Sequence, residues 1–122
     1  MNAITATRCV LIVEDEMCLA MMLEDILMDA GYDVRKAARV PGALQLVDSE
    51  RFDAAILDIN LAGKQVFPVA DALTDRGIPF LFTSGYGDNG VPAEYCKHRM
   101  LQKPYDLDQL QAALTALLQE RA

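Results

Sequence analysis

Short apolar runs alternate with amphipathic stretches along this chain, and the two periods place its elements. Residues 9–13 read Cys-Val-Leu-Ile-Val, an unbroken apolar run, which is the pattern of a strand covered on both faces. Residues 17–30 bring Leu19, Met22, Leu23, Ile26, Leu27 and Ala30 onto one helical stripe, and Gly31 closes it as glycine does past a C-cap. A more polar strand covers 32–37, and Pro41 suits the first turn of a short helix reaching Ser49, with Leu44 and Val47 inward. Residues 52–58 form a second buried strand ending on Asp58, followed by a loop through Gly63. The next helix has Pro68 in its first turn, carries Val66, Val69, Ala70 and Leu73, and stops near Arg76 and Gly77. Residues 78–83, Ile-Pro-Phe-Leu-Phe-Thr, read as a third apolar strand, and 99–102 as a short last one. Between these two lie turn-formers with room for one short helix at 86–97. The final helix, 107–120, starts at Asp106 as N-cap with Gln109 three residues on, close to a capping box, and buries Leu107, Leu110, Leu114, Leu117 and Leu118.

Five strands alternating with helices imply parallel pairing, because each helix supplies the crossover that parallel strands need. Polar second and fifth strands belong at the edges and apolar first, third and fourth strands inside, which gives a doubly wound α/β sheet of order 2-1-3-4-5. At 122 residues the chain reads as one domain with its core over about 8–121.

Charge narrows the partners. The net charge is −7, with 18 acidic and 11 scattered basic residues, which argues against nucleic acid, whose phosphates require clustered Lys and Arg. Cys9, Cys18 and Cys96 are odd in number and lack CxxC spacing, so they read as reduced thiols rather than a disulfide frame or zinc site. The absence of a signal-peptide pattern, and of any apolar run near the ~20 residues that span a bilayer, sets the expectation of a soluble, cytoplasmic protein with no membrane partner.

The candidate chemistry lies where the strands end. Val10-Leu11-Ile12-Val13 runs straight into Glu14-Asp15-Glu16, three carboxylates that repel one another and call for a cation. In a doubly wound sheet the ligand site lies beyond the carboxyl ends of the strands, at the reversal of strand order. That rule gathers Glu14, Asp15, Asp58, Ser84 and Lys103 from four segments. Carboxylates there can hold Mg²⁺, a carboxylate can act as nucleophile toward phosphorus, and Ser84 and Lys103 can bind phosphoryl oxygens. Singly, each has a plainer reading: helix N-terminal acids, a turn aspartate, a solvated hydroxyl, a surface lysine. Their conjunction at four strand ends decides for a site.

These motifs, in order Leu-Ile-Val-Glu-Asp-Glu, Ile-Leu-Asp-Ile-Asn-Leu, Phe-Thr-Ser-Gly-Tyr-Gly and Leu-Gln-Lys-Pro-Tyr, resemble the receiver domain of two-component response regulators, the CheY-like branch of the flavodoxin-like three-layer sandwiches. The last two are also similar to those of single-domain receivers with a Phe-Ala-Thr-Gly motif. The resemblance implies a phosphoacceptor signalling domain rather than an enzyme, catalysing only its own phosphorylation and dephosphorylation. It implies Asp58 as the residue phosphorylated by a sensor histidine kinase or histidine phosphotransfer protein. It implies Mg²⁺ held by Asp15 and Asp58, by Glu14 through water, and by the Asn60 backbone carbonyl. Ser84 and Lys103 would bind the phosphoryl oxygens, Ser84 as the switch hydroxyl, while Asn60 and Tyr86 border the path of the hydrolytic water. Output would pass to a downstream protein partner through the face of a short helix in 86–97, the fifth strand and the final helix, the domain being a monomer or weak homodimer.

Three positions depart from the family pattern: Ala62 for a proline, Val66 for a glycine, and Met100 for the aromatic of the usual switch. They imply a different loop after Asp58 and a switch in which Met100 refills space without two ring positions. Two other readings fit the fold, a phosphorylation-independent adaptor and a flavodoxin-like nucleotide- or flavin-binding enzyme. The second lacks the phosphate-cradling loop it needs after the first strand. His98 reads as a solvated residue rather than a phosphodonor, and Met21, Met22 and Met28 as ordinary packing.

Overall fold

The computed structural model describes residues 8–61, 63–85, 95, 99–103 and 105–121. Its elements are β1 (Cys9–Val13), α1 (Met17–Asp29), β2 (Asp33–Ala37), α2 (Val40–Ser49), β3 (Ala54–Asp58), β4 (Asn60–Leu61), β5 (Lys64–Gln65), α3 (Phe67–Asp75), β6 (Phe80–Ser84), β7 (Arg99–Gln102) and α4 (Leu107–Arg121). The main sheet is parallel throughout and runs β2-β1-β3-β6-β7, the expected 2-1-3-4-5 order once the small β4–β5 hairpin is set aside.

Strand parity builds the three layers. Leu11, Val13, Ala55, Leu57, Phe80 and Phe82 point to one face, where they pack with Ala43 and Val47 of α2 and Val69, Ala70 and Leu73 of α3. Val10, Ile12, Ala54, Ile56 and Leu81 point to the other, against Leu23 and Leu27 of α1 and Leu110, Leu114, Leu117 and Leu118 of α4. Successive strand residues alternate faces, so an unbroken apolar run is what a strand covered on both sides requires. β2 and β7, at the edges, keep most of their residues partly or wholly exposed.

The helix stripes are narrower than their periodicity suggested. Met22 and Leu107 are exposed, and on α2 Ala43 rather than Leu44 is fully inward. The apolar stripe of a surface helix is only about 100° wide, so apolar residues at its margin stay in water. The start of α4 follows the expected capping box: the Asp106 amide donates to Gln109 Oε1 at 2.9 Å and the Gln109 amide to Asp106 Oδ1 at 2.8 Å.

The segment after Asp58, expected as a loop through Gly63, forms a hairpin. Asn60 and Leu61 pair antiparallel with Gln65 and Lys64, and the Val66 amide donates to Ile59 O at 3.0 Å. Gly63 turns the chain at φ 86°, and its amide donates to Asn60 Oδ1 at 3.1 Å. Leu61 and Val66 are buried and anchor the hairpin to the core. Val66, one of the departures from the receiver pattern, thus fills the core just before α3. A Cβ on Gly63 would meet nothing within 4 Å, so Gly63→Ala should cost only the left-handed backbone penalty, about 1–2 kcal/mol. Urea unfolding would measure it, and an unchanged midpoint would mean that the turn does not hold the hairpin.

Candidate functional site

Register, more than any single residue, assembles the site. Val13 lies opposite Leu57, so Glu14 comes abreast of Asp58 at the carboxyl edge. Asp58 lies opposite Thr83 and Ser84 opposite Gln102, which carries Ser84 and then Lys103 to the same rim. Ladder bonds continue past the strands and fix this edge: Glu14 N to Ala37 O at 3.0 Å, Ile59 N to Thr83 O at 3.1 Å, Lys103 N to Ser84 O at 2.8 Å. The chain leaves β1 for β2 on one side while β3 lies on the other, so the crevice between β1 and β3 is the point where strand order reverses.

Glu14 and Asp58 are only 4% and 5% exposed, whereas Asp15 is exposed at the mouth. One carboxylate oxygen from each of the three lies within 4.8 Å of the others. Lys103 Nζ reaches across the rim to donate to Glu14 Oε1 at 2.9 Å and Asp58 Oδ2 at 3.3 Å. The Glu16 amide donates to Glu14 Oε2 at 3.1 Å and the Asn60 amide to Asp58 Oδ1 at 3.3 Å. The positive charge that the acidic run calls for is, in this arrangement, the lysine.

Burial pushes the Glu14 carboxyl above its ordinary 4.5, with the Lys103 and Glu16 hydrogen bonds only partly opposing it. Burial also works against the Lys103 charge, but the bond to Glu14 and the charge on Asp58 outweigh it and hold the ammonium above 10.5. The lysine side chain retains 22% exposure and the glutamate 3%, so burial outweighs the favourable partners at the carboxylate but not at the lysine.

The donor set fits a hard divalent ion: every ligand is an anionic oxygen, and the three can close on one point. Ser84, at the end of β6, is buried. Met100 stands 41% exposed on the outer strand β7, opposite Phe82. Tyr86, Ala62, Cys96 and His98 lie outside the described residues.

A family model described as the response regulator receiver domain matches residues 10–115. The chain belongs to that family. It is the receiver of two-component signal transduction, a signalling domain, and its fold is the CheY-like sandwich. The transcriptional regulatory protein TctD of Salmonella typhimurium is 33% identical over 117 residues, 92% of this chain but 52% of that protein, so the receiver spans about half the length of that relative. The sporulation initiation phosphotransferase F of Bacillus subtilis is 26% identical over 114 residues, covering 89% of this chain and 92% of that one. Among solved structures, SdrG from Sphingomonas melonis Fr1 superposes with a TM-score of 0.81 at 43% identity, covering 94% of this chain and 99% of that one. A second SdrG structure, described as the BeF3-activated conformation, gives 0.77 at 44% identity with the same coverage.

Two contributors to the site escaped motif reading. The Glu16 amide acts through its backbone, and the hairpin behind Asn60 depends on a φ that Gly63 alone only hints at. Tyr105, in the last motif, packs against the α1/α4 core, and burial pushes its hydroxyl pKa up to about 12.

Proposed function

We propose that this receiver accepts a phosphoryl group on Asp58 from the phosphohistidine of a sensor kinase or phosphotransfer protein and relays the signal by protein–protein contact. The observation that carries the reading is the convergence of Lys103 on Glu14 and Asp58 beside the exposed Asp15. An Asp58 carboxylate oxygen attacks phosphorus, the P–O bond forms as the P–N bond breaks, and the imidazole leaves with the electron pair. In this reading Lys103 turns from the carboxylates to a phosphoryl oxygen and Ser84 donates to another. The Asn60 amide and the lysine hold the two Asp58 oxygens in a fixed orientation before attack, lowering the entropy lost on reaction. Mg²⁺, with Asp15 and Asp58 as direct ligands, Glu14 through water and the Asn60 carbonyl completing the set, would supply charge neutralisation between carboxylate and phosphoryl oxygens.

Asn60 and Tyr86 set the lifetime of the acyl phosphate in this reading, and Ser84 with Met100 carries the change toward the output face. The solved relative in a BeF3-activated conformation supports beryllofluoride as a phosphoryl mimic here. Mass spectrometry after incubation with acetyl phosphate and Mg²⁺ tests the proposal, a single phosphoryl adduct being expected and none refuting it.

Metal titration separates the two acidic residues after β1. Asp15→Ala should lose roughly tenfold more Mg²⁺ affinity than Glu14→Ala, because direct ligation is harder to replace than a contact through water. Equal affinities for the two variants would contradict that division.

A further inference from the structure

Asp58 is oriented through both carboxylate oxygens, and its two donors differ in kind. Lys103 Nζ holds Oδ2 at 3.3 Å from the end of a flexible stem, whereas the Asn60 amide holds Oδ1 at 3.3 Å from the backbone. An amide two residues from its acceptor keeps such a bond only while its own backbone angles are fixed. Asn60 is exposed, so packing does not fix them. The β4–β5 hairpin does. The Ile59 amide is bonded to Thr83 O at 3.1 Å and Ile59 O accepts the Val66 amide at 3.0 Å, so the hairpin closes at its base on a residue tied to the main sheet. Ile59, Leu61 and Val66 are buried. Asn60 pairs with Gln65, and its side-chain Oδ1 accepts the Gly63 amide at 3.1 Å across the turn. That tie uses Gly63 at φ 86°, where a Cβ would meet nothing within 4 Å, so glycine stands there for its backbone freedom and not for space.

We infer that the β4–β5 hairpin is a positioning device for the phosphoacceptor, in which the Asn60 side chain, held by the Gly63 amide, keeps the Asn60 backbone amide on Asp58 Oδ1. The inference rests on the phosphoacceptor reading above and adds to it Gly63 and the Asn60 side chain, which act on Asp58 only through that amide. In that reading Lys103 turns to a phosphoryl oxygen and releases Oδ2. The Asn60 amide is then the backbone donor that stays on the carboxylate while it attacks. A carboxylate free to rotate loses the entropic advantage of a fixed nucleophile.

Asn60→Ala removes the acceptor of the Gly63 amide, and Gly63→Pro removes the donor and bars the positive φ. Each should lower the initial rate of phosphoryl uptake about tenfold at saturating acetyl phosphate and Mg²⁺, with the KM for acetyl phosphate nearly unchanged. Because both cut one tie, the double variant should be no slower than Gly63→Pro alone. In the metal-free Gly63→Pro protein, hydrogen exchange at the Asn60 amide should rise about tenfold relative to the Glu14 amide, which is bonded to Ala37 O on the same rim. Leu118→Ala, which opens the opposite layer of the core, controls for lost stability and should label at the parent's rate. Effects that multiply in the double variant would mean that the Asn60 side chain acts on the reaction by itself and would overturn the inference. Unchanged rates, unchanged exchange, or an equal loss in Leu118→Ala would overturn it too. If the parent takes up no phosphoryl group, the phosphoacceptor reading fails, while the exchange measurement still decides whether the turn holds the amide.

Discussion

Asp58→Asn will take up no phosphoryl group from acetyl phosphate and Mg²⁺ under conditions in which the parent protein gives a single adduct. Asp58 alone among the carboxylates of the site ends a central strand, is oriented by an amide on one oxygen and a lysine on the other, and stands within reach of two further acids. Glu14 shares the lysine but is bound on its second oxygen by the Glu16 amide and is still more deeply buried. Asp15 is exposed and lacks the strand-end seating. The substitution keeps an oxygen that can accept the Asn60 amide and leaves the Glu14–Lys103 pair at 2.9 Å untouched, so the fold should survive. It also removes one of two like charges facing each other, and stability should change by no more than about 1 kcal/mol. Loss of labelling in a protein that unfolds normally therefore reports on the nucleophile. Undiminished labelling would place the phosphoryl group elsewhere and sink the assignment.

How much of this was legible beforehand follows from what a linear pattern can encode. β1, β3 and β6 announced themselves because a strand covered on both faces permits almost no polar residue, and their carboxyl ends named Glu14, Asp58 and Ser84. The capping box at Asp106 was equally readable, since it depends on two side chains at fixed spacing. The β4–β5 hairpin was not, because its determinants are a backbone angle at Gly63 and two buried anchors separated by exposed residues. The outward turn of Met22 and Leu107 was missed for another reason: period 3.6 marks a stripe, but the width of sheet beneath it decides how much is covered. That the Tyr105 hydroxyl is buried without a partner was equally unreadable, because it is a property of packing. Lys103 stands between these cases. Its motif marked it as a phosphoryl ligand, while its resting role as counter-ion to Glu14 emerges only from distance.

That resting role predicts a large stability effect at the site. Lys103→Met retains the stem volume but leaves Glu14 and Asp58, each about 5% exposed or less, as facing carboxylates without a cation. Removing one partner of a fully buried ion pair costs about 3–5 kcal/mol, and the lysine's residual exposure lowers the expected figure here to about 2–3 kcal/mol at neutral pH without Mg²⁺. The difference between parent and variant should follow pH in a definite way. A lysine whose folded pKa lies above 10.5 contributes stability that is complete below 10.5 and is lost as pH rises through the folded value, so the gap closes on the alkaline side. Glu14, held above 4.5 when folded, is protonated more readily in the native state, so acidification toward 4.5 relieves the unpaired charge and narrows the gap again. Urea unfolding of both proteins across that range should give a stability difference widest between the two limits. Adding Mg²⁺ should return part of the deficit at neutral pH, since an ion that binds only the folded site stabilises it by mass action. Phosphoryl uptake should nevertheless stay slow by about a hundredfold, because the Lys103 donor to the transferring oxygens is gone. Equal stability of parent and variant at neutral pH would mean that the carboxylates are kept apart, or neutral, by something other than this lysine.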